Sequence, residues 1–141
     1  MIVDIGITSL YALLGIIIMI IGSKIIDWCI PGDFPTEIKR GNRAVGWLCA
    51  GIFIGLGYII RAAIVSPAIP FMEEALWHGI KSSIIYSALG IIFFLIGYYL
   101  LHICHRAYSL TEEIMNGNTA AGIMLFGSFV GMALIISGAI H

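Results

Sequence analysis

The chain has 141 residues, of which 60% are hydrophobic and only 11% charged, with a formal net charge of −1. Globular proteins average about 25% charged residues, so this composition excludes an ordinary water-soluble domain. Nucleic acid is excluded as a partner because no basic excess exists to neutralise phosphates.

The charges are bunched and leave four apolar stretches, near residues 5–23, 44–65, 83–101 and 119–140. Each meets the length of about 20 residues needed to cross a hydrocarbon layer. The expected fold is therefore all-α: a polytopic protein with four transmembrane helices and the lipid bilayer as its main partner. Little of the chain is left for a water-facing catalytic domain.

The N-terminal residues MIVDIGITSL carry neither a basic leader nor a small-residue cleavage site, so they read as a retained first span. Within it Thr8, Gly15 and Gly22 recur every seven residues, which keeps small side chains on one seam of a left-handed helix crossing. The connection at 24–43 then brings Lys24, Lys39, Arg40 and Arg43. Pro31-Gly32 and Pro35 force a turn there, and Phe34–Arg40 forms a short amphipathic stretch suited to the interface.

The second span opens on Gly41-Asn42-x-Ala-x-Gly46. Asparagine is a favoured N-cap, since its side-chain oxygen accepts from otherwise unpaired amides of the first turn. Gly51 and Gly55 follow at the spacing by which membrane helices approach closely. Arg61 sits near the outer end of this span, where it can snorkel.

The outer connection at 61–82 holds Arg61 and Lys81, two prolines and Trp77, an interfacial anchor by type and place. The third span repeats the seven-residue seam with Ser83, Gly90 and Gly97. The second tip, 102–118, carries Arg106 and no proline, and so is expected to stay helical for longer than the first. His102, Cys104 and His105 are the one dense set of metal-ligand types; His102 and His105 are the candidates, but the spacing matches no standard site and no metal or cofactor is assigned. The fourth span begins with Gly-Asn118-Thr-Ala-Ala-Gly122 and continues with Gly127 and Gly131.

The chain repeats itself. Residues 36–64 and 112–140 superpose without a gap, and 13 of the 29 positions are identical, among them Glu37/Glu113, Asn42/Asn118, Gly46/Gly122, Gly51/Gly127, Phe53/Phe129 and Gly55/Gly131. The first and third spans align one residue out of step, pairing Gly15 with Gly90 and Gly22 with Gly97. Self-similarity of this kind sets architecture before any motif does. It divides the chain into two tandem hairpins of the same orientation, 1–66 and 67–141, expected to be related by a pseudo-twofold axis along the membrane normal. Gly15, Gly22, Gly51, Gly55, Gly90, Gly97, Gly127 and Gly131 are the expected helix-packing positions, some of them joining copies in a homo-oligomer.

Five basic residues fall at the two tips against two on the outer connection, which places the tips in the cytoplasm and both termini outside. The span centres lack Asp, Glu, Lys, Arg and His, the usual mark of an ion-coupled carrier. Three cysteines do not suggest a disulfide framework. No nucleophile–base pair or phosphate loop is present, so the chain is not expected to be an enzyme.

With both N-x-A-x-G helix starts in view, the chain resembles the YjfL-like family of small bacterial inner-membrane proteins of unknown function. The resemblance implies a bacterial inner-membrane location and a duplicated two-span hairpin, and it assigns no functional residues. Two readings follow. One is an oligomeric structural or partner-binding membrane component, docking another membrane or cytoplasmic protein through the 24–43 and 102–118 tips. The alternative is a small oligomeric channel or facilitator with Asn42, Asn118, Gly46 and Gly122 at the cytoplasmic entrance, where two helix N-termini would favour a polar or anionic ligand.

Overall fold

The computed structural model describes residues 2–65, 72–105 and 109–140; Arg106 and the prolines of the outer connection lie outside them. The described residues contain six helices: α1 (Ile2–Cys29), α2 (Phe34–Lys39), α3 (Arg43–Val65), α4 (Met72–Cys104), α5 (Leu110–Met115) and α6 (Thr119–Ile140). Four of them, α1, α3, α4 and α6, are long and apolar enough to cross a membrane. The protein is all-α with four spans.

The spans come in two lengths. At 1.5 Å per residue, α3 and α6 (23 and 22 residues) are about 33–35 Å long. The 28 residues of α1 and 33 of α4 give about 42 and 50 Å. Helix α4 therefore exceeds the stretch 83–101 expected from its apolar run. Trp77 and Lys81 interrupt the hydropathy but not the helix, and Lys81 Nζ lies 5.8 Å from the Trp77 ring centroid.

The second tip does not continue as one long helix. Ser109 is extended (φ −76°, ψ 103°) and its hydroxyl accepts from Glu112 N, which starts α5 as a separate element. Residue for residue the first tip does the same, with Asp33 accepting from Thr36 N ahead of α2. A good N-cap restarts a helix whether or not proline has broken the previous one.

Helix α3 lies at the centre, with α1, α4 and α6 against it and α4 also touching α1 and α6. Leu48, Ile52, Leu56 and Ile59 of α3 are fully buried against Phe94 and Tyr98 of α4 and Leu125 and Phe129 of α6. Phe94 and Phe129 meet edge to face, with centroids 5.0 Å apart and an interplanar angle of 82°. By contrast the outer side of α1 (Ile16, Ile17, Ile20) is exposed, as a lipid-facing surface should be.

Glycines set the close approaches. A Cβ at Gly51 would stand 2.9 Å from Phe126 Cα, one at Gly55 would strike the Phe94 ring, and one at Gly90 would be 2.7 Å from Ile59 Cδ1. Gly22 packs on Leu56 and Gly97 on Met132, the same pairing within each hairpin, and Gly15 lies against Ile60. Gly127 and Gly131 behave differently from expectation: a Cβ at either meets nothing within 4 Å, so inside one chain they pack on no other helix.

That difference extends along the whole α3–α6 contact. Gly122 is pressed on the backbone of Ala44, yet a Cβ at its counterpart Gly46 meets nothing within 4 Å. A twofold axis between the hairpins would make both contacts or neither. The α3–α6 pair is instead joined head to tail: α3 offers one face, and α6 answers with the opposite side of its own cylinder.

Candidate functional site

The polar chemistry of the chain is concentrated at the two tips. Each short helix ends with a glycine in the left-handed region, Gly41 at φ +80° and Gly117 at φ +85°. The following asparagine N–H returns to the helix, Asn42 N to Glu37 O and Asn118 N to Glu113 O, both in a Schellman turn. A Cβ would be strained at this φ, so glycine is the natural occupant.

The asparagine that closes one helix then opens the next. Asn42 Oδ1 accepts from Ala44 N (3.0 Å) and Val45 N (3.3 Å), capping α3. Asn118 Oδ1 accepts from Ala120 N (3.1 Å) and Ala121 N (3.4 Å), capping α6. Each amide nitrogen also donates to the glutamate five residues back, Asn42 Nδ2 to Glu37 Oε2 at 2.8 Å and Asn118 Nδ2 to Glu113 Oε2 at 2.6 Å.

The two asparagines then part company. Asn42 Nδ2 also donates to the carbonyls of Ile114 (2.9 Å) and Met115 (3.2 Å), at the end of the second tip. Its two hydrogens are thus committed to protein acceptors, and they staple the first tip to the second. Asn118 has no such cross-tip bond among the described residues and is exposed. The expected entrance, with two free amides converging on a ligand, is not formed: Asn42 is committed, and Gly122 is packed against Ala44.

Other bonds add to this platform. Asp27 Oδ1 accepts from Phe34 N at 3.1 Å, Tyr98 and Thr111 share a hydroxyl bond of 2.7 Å between α4 and α5, and Tyr99 Oη donates to Cys29 O at 3.1 Å. The Thr36 hydroxyl, and then its N–H, hold the Asp33 carboxyl below its ordinary pKa.

Beside the first tip lies a cleft of about 200 Å³ that sequence reading missed, lined by apolar Phe34, Pro35, Ile38, Ile52 and Phe53 with Ser23, Lys24 and Asp27 among its polar groups. Its only advance signal was Lys24 and Asp27 falling three apart after an apolar run. Its lining is largely apolar, and a single lysine offers little to fix a charged ligand.

His102 and His105, the candidate metal ligands, each have another neighbour. His102 stacks on Tyr98 with centroids 6.4 Å apart, and His105 Nδ1 lies 2.9 Å from Leu101 O. Among the described residues no group of three His, Cys, Asp or Glu side chains is placed to hold an ion.

The four apolar spans agree with the comparison to known proteins, where a transmembrane protein is found. The profile described as Domain of Unknown Function (DUF350) matches residues 1–140. The chain belongs to the DUF350 family. This DUF350 chain is also similar to a protein named UPF0719 transmembrane protein from Aquifex aeolicus (strain VF5), at 21% identity over 126 residues, covering 89% of this chain and 46% of that relative. It thus spans less than half the relative's length. No solved structure matches it.

Proposed function

We propose that this DUF350 protein is a structural, partner-binding component of the bacterial inner membrane, which associates with its own copies and docks another protein on its two polar tips. It turns over no substrate in this reading, its termini are outside and its tips cytoplasmic. The observation that carries the reading is the Asn42 staple. Side-chain hydrogens that would serve a permeating or bound polar solute are instead spent on fixing the first tip to Ile114 and Met115 of the second. A preset polar surface suits docking, because binding then orders little that was free.

Exposed Lys39 and Glu112 supply charge on that surface without taking part in the staple, whereas Arg40 donates to Glu37 Oε1 at 2.9 Å and so supports the carboxylate that holds Asn42. Reversing both (Lys39→Glu, Glu112→Lys) should lose proteins that co-purify with the wild type while the protein's own assembly is kept. Co-purification that is indifferent to the reversal would overturn the docking role. Specific flux of protons, monovalent cations or halides from liposomes holding the wild-type protein would overturn it in favour of a channel.

A further inference from the structure

The two hairpins are alike in sequence but are used unequally. At the α3–α6 contact α3 contributes a cradle of small residues, Ala44, Gly51 and Gly55; α6 meets the first two with Gly122, Phe126 and Phe129, and Ala133 of α6 with Phe94 of α4 covers Gly55. Ala44, Gly51, Gly55, Gly122 and Phe129 are each identical in the other hairpin, while Phe126 and Ala133 correspond to Ala50 and Gly57. In the second cradle, Ala120, Gly127 and Gly131 on α6, a Cβ at either glycine meets nothing within 4 Å. Of the second set of filling residues on α3, Phe53 is exposed, Gly46 and Ala50 are half-buried, and a Cβ at Gly46 meets nothing within 4 Å.

Burial follows the same division. Phe129 is 0% exposed and Phe53 41%; Ile114 is 1% exposed and Ile38 47%. The hydrogen bonds follow it too. Asn42 reaches the carbonyls of Ile114 and Met115, whereas Asn118 has no counterpart bond to Ile38 and Lys39. Three independent kinds of observation, close packing, exposure and hydrogen bonding, thus leave half of one interface open at each side of the protein. The open halves are complementary, because their repeat counterparts already fit within the chain.

We infer that copies of this protein associate head to tail, the Gly127/Gly131 face of α6 receiving Phe53 of α3 in the next copy. This rests on the self-association proposed above and specifies its geometry. The contact repeats the one that joins the hairpins, so successive hairpins continue a single row of α3 and α6 helices across the copy boundary. Lipid is a poorer occupant of the cradle: acyl chains already match the apolar surface, and what small residues add in a bilayer is close backbone contact with another helix. Asn118 would gain in the next copy the carbonyls that Asn42 has in its own. A heterologous contact of this kind closes into a ring or extends as a row, and it is never self-paired.

The test is disulfide cross-linking in native membranes with copper phenanthroline, in a Cys29→Ala, Cys49→Ala, Cys104→Ala background. Ala50 corresponds to Phe126, whose Cα lies beside Gly51, so Ala50→Cys with Gly127→Cys places two thiols at the inferred boundary. The double variant should give a ladder of dimer, trimer and higher products. The two single variants should give nothing alone and only dimer when co-expressed, and Ala50→Cys with the exposed Leu100→Cys should give no ladder. Adding Gly131→Leu should abolish the ladder without lowering the unfolding midpoint of the protomer, since its Cβ meets nothing within 4 Å and leucine favours a helix over glycine.

Strong self-cross-linking of either single variant would replace head-to-tail contact with a twofold one and overturn the inference. No ladder from protein that native mass spectrometry shows to be oligomeric would overturn the interface and leave the association reading standing. Single-copy mass throughout would overturn both.

Discussion

Gly122 and Gly46 occupy equivalent places in the two hairpins, and their replacement by alanine should have opposite consequences. A Cβ on Gly122 would sit 2.5 Å from Ala44 O, 2.6 Å from Ala44 Cα and 2.9 Å from Ala44 C. Optimal contact is about 3.5–4.0 Å, and all three neighbours are backbone, so no side chain can rotate away. Helix α6 must retreat from α3 by about 1 Å, at the contact that buries Leu125 and Phe129. Overpacking of this kind costs about 1–3 kcal/mol, and the intrinsic gain of glycine to alanine in a helix returns at most about 1. Gly122→Ala should therefore lose up to about 2 kcal/mol, a factor of up to roughly 30 in the folded-to-unfolded ratio. At Gly46 nothing lies within 4 Å, so Gly46→Ala keeps the propensity term and should be neutral or stabilising by up to about 1 kcal/mol. The assay is reversible unfolding in mixed detergent micelles, at a dilution where the protein is a single copy, followed by tryptophan fluorescence. Equal losses for the two variants would refute the head-to-tail packing of α3 on α6 and restore a twofold pair.

Asn42→Ala should destabilise the protomer more than Asn118→Ala, by about 1–3 kcal/mol, in the same unfolding assay. Both lose an N-cap, but only the first leaves the Ile114 and Met115 carbonyls without their donor. Tyr98→Phe should cost about 0.5–1.5 kcal/mol and speed amide exchange in α5, because it removes the hydroxyl bond to Thr111 that ties α5 to α4. The Asp33 cap on α2 should depend on pH in one direction. Its carboxyl titrates below the ordinary value of 3.8 in the folded protein, so its contribution is complete above that value and is lost as pH falls through the depressed pKa. Exchange of the Thr36 amide should accelerate over that acidic window, and an Asp33→Asn variant should show no such step.

Much of this architecture was legible because bilayers impose blunt rules. Charge gaps marked four spans, and the α6 bounds, Thr119–Ile140, coincide with the apolar run 119–140 because Asn118 caps one end. The α4 bounds did not follow, since Trp77, His78 and Lys81 are polar enough to end a hydropathy window while remaining good helix residues. The glycine spacing identified faces capable of close packing but could not say which of two identical faces is filled. Gly51 and Gly127 are the same residue in the same local sequence, and only the placement of α4 and α6 around α3 separates them. The asparagine pair misled for the same reason. Each has a capping role that is local and readable, whereas the cross-tip bonds of Asn42 depend on residues 72 and 73 positions away.

That separation has a meaning in time as well as in space. A ribosome adds about 5–20 residues per second, so the acceptors of Asn42, 72 and 73 residues downstream, are made roughly 4 to 15 seconds after it. For the last 50 of those residues, from Val65 to Met115, α3 is complete while α6 has not begun, so the Gly51 and Gly55 cradle lacks the helix that packs on it and Asn42 lacks its cross-tip acceptors. Biogenesis therefore passes through a stage in which the α3 face that receives α6 is uncovered, and completion of the second hairpin ends it.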